Sequence, residues 1–358
     1  MLPMTLRLAL AAAGLSAILS SAAGDEIDLK RLPLGDGKIS QGPKAGWVWA
    51  CRVNPHGGGA HRVGPWINKA EGTFDFTAKT VVRGSVRWPH RFKITVEGDK
   101  RVFTLNDLPN HPTGTFPIAR DDPAYRYDRN PNRITAKNFR LAFPVNPEPA
   151  PAPTCAPGSV GILLSGVVLY NALDLPGRDA VAHETQDLCQ GHPQRASVYH
   201  YHSLSNCIDD KPAAEGHSKL LGYAIDGFGI FGNYSSGKRL ASADLDGCHG
   251  HPHAIPWDGK TVEMYHYHAT PDYPYTVGCM RGRYERKLVR LLAEGPGGGP
   301  PRGGPRGRHP DLAAAARKLG INRGRLQRAL GPPPPDLAVT ARRLGISEAR
   351  LRAALGVP

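Results

Sequence analysis

The stretch Asp187-Leu188-Cys189-Gln190-Gly191-His192, followed by Tyr199-His200-Tyr201-His202 and then Cys207, decides the fold because its order occurs twice. The second copy runs Asp246-Gly247-Cys248-His249-Gly250-His251, then Tyr265-His266-Tyr267-His268, then Cys279. Asp, Cys, Gly and His recur at an offset of 59 and the tetrapeptide at 66, so the second unit carries a seven-residue insertion. Two copies are too few for a stacked array, and the pattern predicts an internal duplication, not a solenoid. Side chains on a strand alternate between faces. His200 and His202 then share one face, Tyr199 and Tyr201 the other, and the same holds for His266, His268, Tyr265 and Tyr267. Two imidazoles at i, i+2 are well spaced to grip one metal ion.

The six histidines with duplicated positions, His192, His200, His202, His251, His266 and His268, form the predicted ligand set. Imidazoles without accompanying thioether or thiolate donors point to copper or zinc, not calcium. The spacing is compatible with one shared site or two separate ones. The tyrosines fit the inward face as packed aromatics. Glu184, Asp187, Asp226 and Asp246 are carboxylates able to orient an imidazole or act as a base. His253 flanks His251 as an outer ligand or a loop polar residue. No serine-nucleophile elbow, H-E-x-x-H, P-loop or dinucleotide fingerprint is present.

The chain has 358 residues, six cysteines and a formal charge of +14. Arg7, the apolar run Leu8 to Leu19 and Ser21-Ala22-Ala23 read as a signal peptide over residues 1–23; an uncleaved anchor is the alternative. No other stretch could cross a bilayer, so a secreted, periplasmic or cell-envelope location is expected. An even cysteine count in an exported chain suggests disulfides, and the absence of a C-x-x-C pair argues against cysteine as metal ligand. The duplication favours Cys189–Cys207 and Cys248–Cys279, which leaves Cys51–Cys155.

Short runs punctuated by Gly, Pro, Asn and Asp predict a mainly β body, with strands over Thr80 to Trp88, Arg91 to Val96, Arg101 to Leu105, Gly161 to Tyr170 and Gly222 to Phe231. Residues 147–153, rich in Pro and Ala, read as a surface loop. Residues 24–79 form an N-terminal β extension, 80–294 the main domain and 295–310 a Gly/Pro/Arg linker. Residues 311–358 hold a second duplication, at an offset of 25, predicted as two basic helical hairpins. There Gly320 or Gly345 ends a first helix, Asn322 or Ser347 caps the second, and Pro332–Pro335 separate the units. From residue 295 onward twelve Arg/Lys face three acids, a net +9 that is most of the chain's charge. Such helices suit an acidic envelope polymer or an anionic surface. A signal peptide and the small size of each hairpin argue against nucleic acid.

The segments Leu108-Pro109-Asn110-His111-Pro112-Thr113-Gly114-Thr115-Phe116-Pro117, Asn130-Pro131-Asn132, Cys189 to Cys207, Gly222-Tyr223-Ala224-Ile225-Asp226-Gly227 and Cys248 to Cys279 resemble the bacterial YHYH domain family. The resemblance covers about residues 80–290. It implies an exported protein with a disulfide-stapled β domain and no settled activity, and it adds His111, His217 and Asp226 to the candidate site residues. The expectation is a disulfide-stapled β sandwich or barrel-like domain with an internal pseudo-duplication, a linker and a small helical tail. Its expected role is metal binding through duplicated His-x-His strands, with or without catalysis. The alternative is a cell-envelope or carbohydrate-binding module.

Overall fold

The computed structural model describes residues 27–54, 58–213, 216–296, 312–330 and 336–355. The expected signal segment, nearly all of the linker and the prolines at 332–335 lie outside them. The chain is mainly β. Strands β1 (Leu32–Pro33), β2 (Ile67–Asn68) and β3 (Thr73–Phe74) form a small sheet, and β4 (Phe92–Glu97), β5 (Lys100–Leu105) and β6 (Phe139–Pro144) form an antiparallel meander. There follow β7 (Pro149–Cys155), β8 (Ser159–Leu163), β9 (Val168–Tyr170), helix α1 (Ala180–His183), β10 (Gly191–Pro193) and β11 (Tyr199–Tyr201). The second half contributes β12 (Leu220–Ala224), β13 (Gly229–Phe231), β14 (Tyr234–Ser235), β15 (Lys238–Arg239), β16 (Gly250–Trp257), β17 (Lys260–His268), β18 (Cys279–Gly282) and helix α2 (Arg286–Glu294).

Eight strands make the central sheet, in the order β10-β11-β9-β8-β12-β13-β17-β16. The order reads the same from both ends. Each half is a hairpin (β8–β9 or β12–β13), a parallel partner carrying the Tyr-His-Tyr-His segment (β11 or β17), and an antiparallel edge strand (β10 or β16). The halves meet where β8 pairs antiparallel with β12, with Ile162 opposite Tyr223. The hairpin turns Ser165-Gly166 and Asp226-Gly227 correspond at an offset of 61, so Ile162 and Tyr223 are themselves counterparts. A pseudo-twofold axis therefore passes between them, normal to the sheet. The duplication is larger than the cysteine-to-cysteine units and includes both hairpins.

Four local expectations are corrected. Gly161–Tyr170 and Gly222–Phe231 are each a hairpin, not one strand, because Gly166 (φ +80°) and Gly227 (φ +93°) take up the left-handed turn. Residues 149–155 are a strand, β7, paired with β18 in a two-stranded sheet; at an edge the missing proline N–H costs no ladder bond. Thr80 to Trp88 forms only isolated bridges at Val82 and Val86, interrupted by Gly84 at φ +125°. The central sheet stays open, with β10 and β16 as its edges, and no barrel closes.

The doubled motif has a local physical cause. Asp187 Oδ1 accepts the N–H groups of Cys189 and Gly191 at 3.0 and 3.2 Å, and Oδ2 accepts the Tyr199 hydroxyl at 2.8 Å. In the second half Asp246 Oδ1 accepts Cys248, Gly250 and the Tyr265 hydroxyl at 2.8, 3.1 and 3.0 Å. The tyrosine ring lies over the glycine to reach the acid, so a side chain there has no room. A Cβ on Gly191 would come within 2.1 Å of Tyr199 Cζ, and one on Gly250 within 2.6 Å of the Tyr265 hydroxyl. Acid, glycine and tyrosine thus latch each edge strand to its neighbour. The staples are Cys51–Cys155, Cys189–Cys207 and Cys248–Cys279. The two latter close loops with separations of 18 and 31 residues, which in the chain-entropy account stabilises by roughly 3 kcal/mol each.

Both edge strands begin Gly-His-Pro. The carbonyl of Pro193 points away from the sheet and accepts the Asn130 amide at 2.8 Å, which accounts for Asn130 in the Asn-Pro-Asn segment. One core runs through the body. Leu32, Leu34, Trp66 and Phe74 of the N-terminal segment, Phe103 and Phe143 of the meander, and Leu288 and Leu292 of α2 belong to the same buried cluster as the sheet. Fully burying a residue such as Phe103 is worth about 1.5–3 kcal/mol.

Helices α3 (Leu312–Leu319), α4 (Arg323–Leu330), α5 (Leu337–Leu344) and α6 (Glu348–Leu355) form the tail. Gly320 and Gly345 are left-handed at φ +70° and +71°, and Asn322 and Ser347 side chains accept the N–H groups of Arg325 and Arg350. The hairpins do not each bury a private seam: Leu319, Leu326, Leu351 and Leu355 share one small core.

Gly191→Ala should displace the Tyr199 ring and cost about 1–3 kcal/mol, the usual penalty for overpacking. Chemical denaturation with disulfides intact checks this against Gly42→Ala, where nothing lies within 4 Å of the added methyl.

Candidate metal centres

The alternation of β11 and β17 sorts the tetrapeptides as their period requires. Across the sheet, His200 pairs with Val168, Val168 with Ile162, Ile162 with Tyr223 and Tyr223 with Gly229. Directly paired residues point to one side, and Gly229 is the counterpart of Val168, so His266 faces the side that His200 faces. The two histidine sets share a face but not a site. Four strands separate β11 from β17, which at 4.7–4.9 Å per step puts them about 24 Å apart.

The first cluster is His192, His200 and His202, with a ring nitrogen of each within 4.8 Å of the others, and Glu184 lies beside two of them. His200 Nε2 lies 3.2 Å from His202 Nε2, and Glu184 Oε2 lies 3.4 Å from both His192 Nε2 and His202 Nε2. The second is His217, His251, His266 and His268, with Nε2 pairs at 3.2 Å (His217, His266) and 3.1 Å (His251, His268). Four donors held tetrahedrally at 2.0–2.1 Å from one centre lie about 3.3–3.4 Å apart. The spacings just given are close to that edge, and the remaining ones among the histidines of each cluster are within 4.8 Å.

Proton placement makes these contacts costly without a partner. His202 Nδ1 donates to the Asn171 carbonyl at 2.6 Å, and its counterpart His268 Nδ1 donates to Gly232 O. His200 and His266 donate from Nδ1 to Val198 O and Met264 O at 3.3 and 3.1 Å, and His217 to Ser218 O at 2.8 Å. A carbonyl only accepts, so each Nδ1 carries the hydrogen and each Nε2 presents a lone pair. In both clusters a ring nitrogen of every histidine lies within 4.8 Å of the others. Metal-binding histidines are oriented in this way by a hydrogen bond from the other ring nitrogen. In the first cluster Glu184 Oε2 and both ring nitrogens of His192 are buried with no hydrogen-bond partner.

Burial keeps the imidazoles neutral, the form that binds a metal. It lowers the His202 pKa to about 4 and that of His266 to about 3, and holds His192, His200 and His268 well below the ordinary value. Burial, and then the nearby Asp174 and Asp128 carboxylates, raise the Glu184 pKa well above the carboxylate range.

Three donors in each cluster are counterparts: His192 and His251, His200 and His266, His202 and His268. The fourth breaks the duplication. Glu184 follows α1, and His217 precedes β12. The clusters also differ in access. His192, His200 and His202 are 3–4 % exposed; in the second cluster His217, His266 and His268 are buried and His251 is partly exposed on the edge strand.

Of the other candidates, His217 joins the second cluster. The His253 ring stacks beside those of His217 and His251, with centroids 5.6 and 5.9 Å away, and is not one of the four. Asp226 lies on the tyrosine face and accepts the Tyr267 hydroxyl at 2.7 Å and Gly282 N–H at 2.9 Å. His111 is on that face too, its Nε2 bonded to the Tyr201 hydroxyl, with Ser165, the counterpart of Asp226, 3.3 Å from the same oxygen. His111 also lies near Cys189 and Cys207, but those sulfurs are joined to each other and offer no thiolate. All four tyrosines are buried. The sequence marks Glu184 only as a carboxylate able to orient an imidazole or act as a base; its place beside His192 and His202 follows from the α1 turn, which has no signature of its own.

Residues 140–240 match the family model described as YHYH protein. That span is narrower than the resemblance over 80–290. It holds the first tetrapeptide and ends before Cys248 and the second. No curated protein and no solved structure matches the chain.

In metal-free protein, His202 and His266 should remain neutral at pH 5, where an exposed imidazole is charged. Their folded pKa values of about 4 and 3 lie below the unfolded value near 6.5, so each contributes stability above pH 6.5 that is lost as pH falls toward its folded value. Imidazole NMR titration checks this; a midpoint near 6.5 for either residue would contradict it.

Proposed function

We propose that this YHYH domain-containing protein is an exported metal-binding protein that holds two ions, one in each half of its central sheet. His192, His200, His202 and Glu184 would hold the first, and His217, His251, His266 and His268 the second. The observation that carries the reading is the approach of imidazole Nε2 atoms to 3.1–3.2 Å of one another in both halves. Two lone pairs at that distance repel, and a cation between them turns the repulsion into ligation.

Near-tetrahedral spacing and nitrogen-rich donors favour zinc. Copper(II) prefers tetragonal sites, which leaves copper(I) as the copper form best suited to the geometry. Four imidazoles leave the second cluster no open position, so that arrangement supports holding an ion more than activating water; in the first cluster Glu184 would have to close the site beside three imidazoles. Three disulfides fit an oxidising, extracytoplasmic compartment, and residues 1–23 supply the export signal of this reading. The Arg-rich tail is proposed to contact an acidic polymer or anionic surface.

The carbohydrate-binding reading loses support because Tyr199, Tyr201, Tyr265 and Tyr267 are at most 7 % exposed and form no stacking platform.

Protein purified without a histidine tag should contain two equivalents of zinc or copper by elemental analysis, or take up two on titration. His202→Ala should remove one and His268→Ala the other. A wild-type protein that takes up neither metal would sink the proposal.

A further inference from the structure

The two clusters share three donors by duplication, yet their surroundings differ in a way that bears on exchange. The first is enclosed, its three imidazoles 3–4 % exposed. Each cluster takes one histidine from an edge strand, His192 from β10 and His251 from β16, so the difference lies in exposure and not in position in the sheet. His251 on β16 is partly exposed, and so is His253, two residues on and on the same face. The His253 ring is nearly parallel to those of His217 and His251, at interplanar angles of 16° and 21°. The only hydrogen bond of His253 among the described contacts runs from Nδ1 to the Ala254 carbonyl at 2.9 Å, which leaves its Nε2 a lone pair. The first half has no equivalent: the position matching His253 at an offset of 59 is Gln194, whose amide is bonded to Ala293 O and Ala196 N–H.

We propose that the second cluster is an exchangeable site, and that His253 acts as a relay ligand through which a metal ion passes between solvent or a donor molecule and the four nitrogens of the cluster. This rests on the two-ion reading above and extends it from holding metal to transferring it. Zinc can expand from four to five ligands. A fifth imidazole poised at the rim lets one bond form before another breaks, so the ion need not shed a ligand first. No electron transfer is involved, and the ion keeps its charge throughout. His253 thus lowers the barrier in both directions and leaves the equilibrium little changed. The first cluster, enclosed and without such a neighbour among the described residues, retains its ion.

The test uses full-length, disulfide-intact protein loaded with zinc and mixed with excess of a chromogenic chelator in a stopped-flow instrument. Two phases of equal amplitude are expected, the fast one lost in His268→Ala and the slow one lost in His202→Ala. His253→Ala should slow the fast phase, and the matching uptake phase, by about tenfold, the effect of a barrier raised by about 1.4 kcal/mol, while competition titration shows the affinity of that site nearly unchanged. A single rate for both ions would overturn the proposal, as would a His253→Ala protein whose fast phase is unaltered or accelerated. Failure to load zinc or copper at all would instead remove the two-ion reading itself, so the two failures are distinguishable.

Discussion

Ile162 faces Tyr223 across the junction of β8 and β12, and the central sheet depends on that pairing. Because the two residues are counterparts, one register sets the position of every strand in both halves. A shift by one residue would turn each strand's inner face outward and send the histidines and tyrosines of both tetrapeptides to opposite sides together. The aromatic ring of Tyr223 anchors the register, since it meets Phe103 of the meander edge-on at 5.3 Å and Trp257 at 5.6 Å. What resembles a dimer interface is built inside one chain.

From that junction outward, the two faces of the sheet divide the work. On one, buried tyrosine hydroxyls and aspartates tie the edge strands and hairpin turns together. On the other, the imidazoles gather at two points. The same four-residue segment serves both, which is why its alternation is strict. The tyrosine face fixes the backbone, and the backbone carbonyls in turn fix the rings, since His202 and His268 are oriented by Asn171 and Gly232 on the neighbouring hairpins.

Much of this was legible in the sequence. The i, i+2 histidines and the spaced Gly-His pairs identify three donors in each cluster, and the doubled cysteines indicate the staples. The fourth donors were not, for a physical reason. Glu184 and His217 arrive from connecting segments that the duplication did not copy, so no repeat marks them. The hairpins carry no repeated signature, because Ser165 and Asp226 differ in kind and only the following glycine is kept. Offsets of 61, 59 and 66 for successive parts of one unit disguise a repeat that the strand order makes plain. The alternating prolines of β7 read as a loop because a strand that needs bonds on only one side tolerates them.

The Gly-His-Pro start of each edge strand has a consequence for how such a sheet behaves in a crowded solution. A sheet that has already joined two copies of one unit side by side offers, at either margin, the surface that could recruit a third. Pro193 and Pro252 each remove an amide hydrogen from that margin, and Asn130 occupies an outward carbonyl at the first. The outer rim is therefore a poor template for a further strand. Growth by addition ends at two units, and neighbouring molecules gain little from stacking edge to edge, which guards a β-rich protein against forming fibrils.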